Sequence, residues 1–445
     1  MRVVVIGSGI VGASAAYHLS RRGADVVVVD AALEGQATAA GAGIVCPWVD
    51  HPEDDAWYAL ARLGARHYPE LVEALGEDIS YERVGALLVA EDPAELEPVR
   101  ALLERRYAEA PEMGEVTVVP DPSRLFPPLA DGLSAVHVPG AARVDGRAVR
   151  DALLRAAVRQ GAELRTGAAT LTDGGEVLLR PGDAPAPAAA PAPAAPGPVT
   201  GGDGSWRQAA PLSGARADTR ELTGGGPGAG STEGGFAAGS AGDGGEAVKA
   251  GDAGVAGTAG DAGLVGNAGT SGEKVAADMV VVAAGAWSGA VCRPLGVEIP
   301  VFPRRGQIVH ATLDGVDTAG WPIVLPHVGP YLLGFPGSRV VVGATVEDVG
   351  FVPRVTMGGL DEVLRAGLRL APGLAGAAVT ETRVGLRPVR SGGPPLVCRA
   401  GERVVVATGL SAYGLTAGPF AGHLAALLAL GEQPPLDLSP YRLPS

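Results

Sequence analysis

Lysine and positive charge are scarce in this chain of 445 residues. Lys249 and Lys274 are its only lysines, and the formal net charge is -14. So little lysine argues against a lysine Schiff base and against a phosphate-binding P-loop, because both need that side chain. The acidic balance, without any block of Lys and Arg, argues against nucleic-acid binding, since neutralising phosphates needs a basic surface.

Cysteine and long apolar runs are also scarce. Cys46, Cys292 and Cys398 are odd in number and far apart. This spacing predicts neither a disulfide framework nor a metal site, so we expect three buried thiols. Gly7 and Gly9 interrupt the apolar N-terminus, which therefore does not resemble a signal peptide. We expect no membrane-spanning stretch and a cytoplasmic protein, and an oligomer is left open.

The first thirty residues carry the clearest pattern. Val3–Ile6 predicts a strand buried on both faces of a parallel sheet, and Gly7-Ser8-Gly9-Ile10-Val11-Gly12 follows without a spacer. Apolar spacing from Ile10 to Arg22 predicts a helix, and Val26–Val29 predicts a second strand that ends at Asp30. Strand, Gly-rich turn, helix, strand and acid in this order predict a dinucleotide-binding unit.

Each residue type in this unit has a physical reason to be there. Gly7 permits the tight turn, Gly9 lets the backbone approach a pyrophosphate, and Gly12 lets the helix pack closely on the strand. The helix N-terminus offers unpaired N–H groups to phosphates. Asp30 is placed to accept a hydrogen bond from a ribose 2′-hydroxyl. The six turn residues alone are also compatible with a purely structural turn, and it is the surrounding elements that favour binding.

The rest of the chain predicts further helices and strands around an insertion. Gly35–Trp48 is a small-residue loop that suits close packing of backbone on a flat ligand, or a tight loop without one. Residues 181–272 are dominated by Gly, Ala and Pro and predict a disordered insertion, with a partner-docking segment as the alternative. The other predicted elements are helices over Asp54–Leu75, Pro93–Tyr107, Asp145–Gly161 and Gly414–Leu430, strands over Tyr81–Ala90, Ala162–Leu171 and Val404–Ala407, short extended pieces over 111–139, and a strand followed by a small-residue turn within 277–288.

These motifs together resemble the FAD-dependent D-amino acid oxidase superfamily. The resemblance rests on the opening unit, the VVVAAGAWS strand, Pro303-Arg304-Arg305-Gly306-Gln307, the GLRP segment and ATGLSAYGLTAGP. It implies an α/β protein with a discontinuous Rossmann-type FAD-binding domain and a second α+β substrate domain built on a mixed β-sheet. On this pattern residues 1–80, 141–180, 273–292 and 381–445 form the FAD-binding domain, and 81–140 and 293–380 form the substrate domain.

The resemblance and the turn chemistry together predict the cofactor site. The helix that begins at Gly414 follows a strand end, so its dipole points at the sheet edge, where a reduced flavin carries negative charge. The predicted FAD contacts are Gly7, Ser8, Gly9, Ile10, Val11, Gly12, Asp30, Ala31, Thr38, Ala39, Ala42, Gly43, Ile44, Ala284, Gly285, Trp287, Gly409, Gly414, Leu415 and Thr416.

Arg387 is the predicted catalytic residue, because the Arg of the GLRP-like segment binds the substrate carboxylate in the resembling family. A guanidinium fork suits a planar carboxylate, although a salt bridge is the alternative role and Arg383 lies only four residues earlier. Tyr331 and Tyr413 are predicted to bind substrate or shape the pocket, with plain packing as the alternative. His310 and His327 are further pocket candidates, whereas we interpret His18 and His423 as structural.

The resemblance implies oxidation of a small D-amino acid, glycine or N-methyl glycine by hydride transfer to the flavin N5, giving an imine that hydrolyses. Oxygen or a quinone-like acceptor would reoxidise the flavin. Asp30 stands where the family more often has Glu, and no His follows the Thr408-Gly409 pair, so substrate preference is left open. No cysteine lies close to the GLRP segment, which predicts non-covalent FAD. The alternatives are an NAD-dependent dehydrogenase and a non-catalytic FAD-binding protein.

Overall fold

The computed structural model describes residues 1–180 and 272–444, so the predicted insertion at 181–272 lies, apart from Gly272, outside the described residues. The helices are α1 Ile10–Arg21, α2 Ala37–Ala40, α3 Asp55–Leu75, α4 Glu97–Tyr107, α5 Gly146–Arg159, α6 Ser288–Cys292, α7 Met357–Leu370 and α8 Gly414–Leu430. The strands are β1 Arg2–Ile6, β2 Asp25–Asp30, β3 Ile44–Val45, β4 Ala86–Ala90, β5 Thr117–Val119, β6 Ser134–Val138, β7 Ala142–Arg143, β8 Glu163–Thr166, β9 Ala168–Leu171, β10 Val177–Arg180, β11 Glu273–Val275, β12 Met279–Val282, β13 Val301–Thr312, β14 Ile323–Pro326, β15 Tyr331–Phe335, β16 Arg339–Gly343, β17 Ala378–Arg390, β18 Leu396–Arg399 and β19 Val404–Thr408.

A six-stranded sheet forms from the valine-rich runs, in the order β18-β19-β12-β1-β2-β8. All neighbours in it are parallel except β18, which is antiparallel to β19. Because side chains alternate along a strand, Val3 and Val5 pack with α1, α5 and α8, whereas Val4 and Ile6 pack on the other face with β9 to β11. Burial on both faces explains why these strands are continuous apolar runs.

An eight-stranded mixed sheet forms the second layer, in the order β17-β13-β16-β15-β14-β4-β6-β5. Its longest pairing joins β13 and β17, from Val301 opposite Arg390 to Thr312 opposite Ala378. Segments 81–140 and 293–380 both contribute strands to this sheet, which agrees with the predicted α+β second domain. The proposed boundary at 380/381 falls inside β17, so the strand that carries Arg387 belongs to this sheet and not to the six-stranded one.

Two predicted strands differ from the structure. The strand predicted over Ala162–Leu171 is divided, because β8 pairs with β2 while β9 pairs with β10 in a separate three-stranded sheet. Gly167 lies at the division, where a Cβ would come 2.6 Å from Leu179 Cδ1 and 2.8 Å from the Arg180 carbonyl oxygen. Of the one or two strands predicted over Tyr81–Ala90, β4 is regular, and Glu82 forms an isolated bridge with Arg143.

Helix α8 packs on both α1 and α3, and its N-terminus lies at the cavity described below. Asp54 caps α3 by accepting from the N–H of Trp57 at 2.9 Å, and Gly76 ends the helix in the left-handed conformation. By length and composition alone, the segment Ser411–Leu430, which contains α8, could cross a membrane. Its most apolar window is 78% buried inside the fold, so core packing accounts for its composition.

Candidate active site

The main cavity lies at the carboxyl edge of the six-stranded sheet and has a volume of about 550 Å³. Ile6, Asp30, Ala283 and Thr408, at or next to the ends of β1, β2, β12 and β19, line its floor. Residues of β13, β15 and β17 line the opposite side. A crevice outside the carboxyl ends of parallel strands is the usual ligand site of such sheets, and its volume suits a cofactor with a small substrate.

The glycine-rich turn leaves no room for side chains. A Cβ on Gly7, whose φ is +103°, would lie 2.4 Å from the Ala283 carbonyl oxygen. A Cβ on Gly12 would lie 1.8 Å from the Gly7 carbonyl oxygen, so this glycine allows α1 to pack on the turn. Gly9 faces the cavity and is the N-cap of α1, which has no side-chain cap. The N–H of Ile10 donates to Thr38 Oγ1 at 3.0 Å, and the rest of the first turn, with the helix dipole, favours an anion in the cavity, as a pyrophosphate would require.

Asp30 is held by four donors. Its Oδ2 accepts from the backbone N–H and the hydroxyl of Ser8 at 2.6 and 2.8 Å, and its Oδ1 accepts from the N–H of Ala32 and from Gln36 Nε2 at 2.7 and 3.1 Å. These four bonds fill the usual acceptor positions of a carboxylate. A ribose hydroxyl would therefore bind Asp30 by replacing one side-chain donor, either Ser8 Oγ or Gln36 Nε2.

The small-residue loop is required by protein contacts as well as by the cavity. A Cβ on Gly43 would lie 2.0 Å from the Val144 carbonyl oxygen, and one on Gly41 would lie 2.7 Å from Leu415 Cδ1. Thr416 donates to the Ile44 carbonyl oxygen at 2.9 Å and so ties the start of α8 to this loop. The sequence left open whether these small residues serve a ligand or only tight packing within the protein. Gly41 and Gly43 pack tightly on protein atoms and also line the cavity.

The N-terminus of α8 is the second helix end at the cavity. Gly414, Leu415 and Thr416 line the cavity, and the helix has no side-chain cap at its start. The positive end of its helix dipole points there, which suits an electron-rich ring system. With the glycine cradle at α1, this donor set fits a flavin dinucleotide.

Arg387 reaches the cavity because Gly306 has no side chain. The two residues lie on paired strands, and a Cβ on Gly306 would come within 2.3 to 2.5 Å of the guanidinium of Arg387. Arg387 Nη1 donates to the carbonyl oxygens of Arg305 and Thr345 at 3.3 and 3.0 Å. No carboxylate among residues 1–180 and 272–444 pairs with Arg387, so its charge is available to a ligand.

Arg383, the residue most easily confused with Arg387, is fully paired. Its Nε donates to Glu381 at 2.9 Å, its Nη2 lies 2.7 Å from the same carboxylate, and its Nη1 donates to the Ala39 carbonyl oxygen at 3.4 Å. It lines a separate cavity of about 610 Å³. The hydrogen bonds from Arg383 and then Arg147 lower the pKa of Glu381 to about 2, against desolvation.

Aromatic and carboxylate side chains also line the cavity. Tyr331 and Tyr413 both line it, and Tyr413 packs on His51 and Trp57 with ring centroids 4.6 and 5.2 Å apart. Asp50 also lines the cavity and is 8% exposed, so a carboxylate lies within the same enclosed space as the guanidinium of Arg387. Sequence reasoning missed Asp50 because a single acid after the apolar Trp48-Val49 pair carries no pattern.

The backbone that holds Arg387 is itself fixed by a buried polar network. Arg305 is 5% exposed and contacts Glu347, which also accepts from Gln307 Nε2 and from the Thr345 hydroxyl at 2.7 Å each. Desolvation raises the pKa of Glu347, but the hydrogen bonds from Arg305, Gln307 and Thr345 outweigh it, and the pKa lies below its usual value. The network thereby fixes the two carbonyl oxygens to which Arg387 donates.

Most of the predicted site residues surround this one cavity. Those that line it are Gly7, Gly9, Ile10, Val11, Asp30, Ala31, Thr38, Ala42, Gly43, Ile44, Ala284, Gly285, Trp287, Gly414, Leu415, Thr416, Tyr331, Arg387 and Tyr413. Ser8, Gly12, Ala39 and Gly409 do not line it. Ser8 turns to Asp30, Gly12 packs on the turn, Ala39 faces the second cavity, and Gly409 packs on Arg390.

Neither of the two histidines named as pocket candidates lines the cavity. His310 is 3% exposed, and burial lowers its pKa to about 4. Sequence reasoning missed several lining residues besides Asp50, among them Gln36, Gly167, Gly306 and Thr408. Gly306 was quoted within a motif, but only the cross-strand register shows what its missing side chain permits.

Fold and cavity together define a dinucleotide-binding protein in which a Rossmann-type sheet faces a second, mixed sheet. The sequence model of the family "FAD dependent oxidoreductase" (DAO) matches residues 2–187 and 245–428, and the chain belongs to this family. FAD is therefore its cofactor, in place of the NAD alternative, and the family is one of enzymes.

Two full-length similarities support this assignment. The chain is 37% identical to "Uncharacterized oxidoreductase YurR" of Bacillus subtilis, over 98% of this chain and 97% of that protein. It is 39% identical to iminodiacetate oxidase (IdaA) from Chelativorans sp. BNC1, whose crystal structure matches with a TM-score of 0.77 over 99% of this chain and 98% of that one. Glycine oxidase of Pseudomonas putida is 32% identical over 38% of this chain and 46% of that protein.

Proposed function

We propose that this enzyme oxidises the C–N bond of a small amino acid or N-substituted glycine, which Arg387 holds through its carboxylate. The observation that carries the proposal is the guanidinium of Arg387, which lines the cofactor cavity with no carboxylate partner among the described residues. Two similar proteins are named for iminodiacetate and glycine, which both place a carboxylate next to a C–N bond.

Arg387 can bind such a carboxylate and orient it at the same time. Both of its described hydrogen bonds leave from Nη1, so Nη2 and Nε remain for a substrate. Two parallel charge-assisted bonds would fix the carboxylate plane and hence the direction of the α-carbon. Holding the reacting atom in position accounts for a large share of the catalysis that a protein can provide for such a transfer.

The remaining side chains shape the pocket and exclude water from it. Leu325 and Ile308 give it apolar walls, while Tyr331 and Tyr413 add aromatic surface beside Arg387. FAD, when bound, supplies the acceptor for the two electrons and the hydrogen that leave the substrate α-carbon. The resulting imine hydrolyses in water to an oxo acid and an amine or ammonia, and this step needs no further side chain.

We also propose that FAD is held without a covalent bond. Cys46, Cys292 and Cys398 are all buried and free, and only Cys46 lines the main cavity. Burial raises the pKa of the Cys46 thiol above its usual value, which disfavours the thiolate that a covalent attachment would use. Acid precipitation should therefore release all of the flavin into the supernatant, and flavin that stays with the precipitate would contradict this.

The first test is the absorbance spectrum of the purified protein under anaerobic conditions, with glycine, sarcosine, iminodiacetate, D-proline and other D-amino acids added in turn. We expect flavin bands that bleach with at least one of these compounds. Colour that returns in air would show an oxidase, whereas colour that returns only with a quinone would show a dehydrogenase. A flavin that none of them bleaches would contradict the proposed substrate class.

The residue-level test compares Arg387→Met with Arg304→Met, a matched control on the neighbouring strand. Arg304 lies opposite Arg387 but pairs with Asp348 at the surface. Losing charged hydrogen bonds worth about 3 kcal/mol predicts that Arg387→Met needs about 100-fold more substrate for half-maximal bleaching, with FAD retained. Arg304→Met should behave like the wild type. If both variants need the same substrate concentration for half-maximal bleaching, a group other than Arg387 binds the substrate carboxylate.

A further inference from the structure

Three histidines from three helices meet away from the main cavity. His18 lies on α1, His67 on α3 and His423 on α8, and one ring nitrogen of each lies within 4.8 Å of the others. The ring centroids of His18 and His423 are 4.2 Å apart, and the ring centroid of His67 lies 5.4 Å from each of them. Such a cluster brings together residues that are far apart in the chain, which is why the sequence gave no indication of it.

Each of these rings keeps one buried nitrogen without a hydrogen-bond partner among the described residues. The nitrogens are Nε2 of His18, Nε2 of His67 and Nδ1 of His423. His18 is 5% exposed, so the unmet polar group lies well inside the fold. Buried polar groups in folded proteins are generally satisfied, and three unsatisfied nitrogens in one place are unusual.

We propose that His18, His67 and His423 form a binding site for a transition-metal ion of the zinc type. Imidazole nitrogen is a preferred ligand of Zn²⁺ and of neighbouring metals, and a single ion at the centre of the cluster would give each ring a partner. Burial lowers the pKa of His18 and His67, which favours the neutral form that binds metal. Zn–N bonds of about 2.0 Å require the rings to move closer together and out of their stacked arrangement.

Two arginines beside the cluster, Arg21 and Arg22, weaken its affinity for a cation. Arg22 Nη2 lies 3.1 Å from Nε2 of His423, and a guanidinium can only donate, so a neutral His423 carries its proton on Nδ1. Arg22 must leave before His423 can bind an ion through Nδ1. Arg21 and Arg22 both lie close enough to His18 to lower its pKa, and they oppose a cation in the same way. Glu432, paired with Arg22 at 3.3 Å, offsets part of that charge.

The proposed metal site and the cofactor cavity lie at different points along the same helices. Ile10 at the start of α1 and Gly414 at the start of α8 line the cavity. His18 and His423 are eight and nine residues further on, which is about 12 to 14 Å along a helix axis. A bound ion would therefore tie α1, α3 and α8 together without touching the cofactor, and it should stabilise the folded protein.

The test uses the full chain with FAD bound, freed of metals by a chelator and titrated with ZnCl₂ by calorimetry. We expect the wild type to bind one Zn²⁺ and to melt at a higher temperature with it. His67→Gln, at a half-buried position of the cluster, should weaken binding by about tenfold or more, since even indirect changes around a metal commonly cost that much. X-ray absorption at the zinc edge should show nitrogen neighbours at about 2.0 Å.

Two control variants separate this site from chance binding. His137→Gln removes a histidine on β6, outside the cluster, and should leave Zn²⁺ affinity unchanged. Arg22→Met removes the competing donor and should tighten binding. Zn²⁺ affinity that is the same in the wild type and in His67→Gln, or a loss of affinity in Arg22→Met, would overturn the proposal.

Discussion

Gly306→Ala tests the geometry of the proposed substrate site without removing any charge. A methyl group at this position would lie 2.3 Å from Arg387 Nη2, whereas ordinary contact begins at 3.4 Å. The difference of about 1 Å has to come from the guanidinium, because it is the movable end of a flexible side chain and β13 is held by two neighbouring strands.

The cost of that displacement follows from the hydrogen bonds of Arg387. Its bonds from Nη1 to two carbonyl oxygens are 3.0 and 3.3 Å long, and a shift of about 1 Å takes both beyond hydrogen-bond distance. One charged hydrogen bond contributes about 1.5 to 3 kcal/mol, so we expect substrate binding to weaken by about 10- to 100-fold. FAD binding should be unchanged, because the cofactor cradle is built from other residues.

Anaerobic stopped-flow reduction of the flavin, measured against substrate concentration, gives both the half-saturating concentration and the limiting rate. Gly320→Ala is the matched control, because a Cβ there meets nothing within 4 Å. A Gly306→Ala variant with wild-type half-saturation and wild-type limiting rate would refute the role assigned to Arg387.

Two further predictions concern the cofactor and acid stability. Asp30→Ala removes the carboxylate that accepts from Ser8 and Gln36, and we expect weaker FAD affinity in a fluorescence titration; affinity equal to that of the wild type would contradict the assignment. His310 is buried, and desolvation, with Arg383 and Arg339 nearby, lowers its pKa to about 4, although Glu381 and Asp145 act in the opposite direction. Between about pH 6.5 and 4 the unfolded chain therefore binds one proton more than the folded chain does. The free energy of unfolding should decrease as the pH is lowered through this range, by up to about 1.4 kcal/mol per pH unit for this group. His310→Leu should show a correspondingly shallower loss in urea unfolding at each pH, and an unchanged slope would show that His310 does not contribute.

The parts of the fold that local patterns encode could be predicted from the sequence. Valine runs, the Gly-rich turn and helical spacing identified β1, α1 and β2, and α3 begins within one residue of its predicted start at Asp54. These features depend on residues close together in the chain, where steric and hydrogen-bonding rules act directly. Part of the cavity lining could also be predicted, because strand ends of a parallel sheet meet at one edge.

What could not be predicted depends on contacts between distant segments. The break at Gly167 reflects contacts with Leu179 and Arg180, which belong to a different sheet. The pairing of Arg383 with Glu381 and the Ala39 carbonyl oxygen, which separates its role from that of Arg387, is equally invisible in a local pattern.

The hairpin formed by β10 and β11 has a consequence for how this chain can vary. Leu179 pairs with Glu273, so the chain departs after Arg180 and returns at Gly272 beside the point of departure. Because Arg180 and Gly272 lie next to each other, the sheet sets no length for the segment between them. This site is therefore permissive: related chains can gain or lose whole segments here, and a reporter domain can be inserted, while the two sheets and the cavity between them keep their geometry.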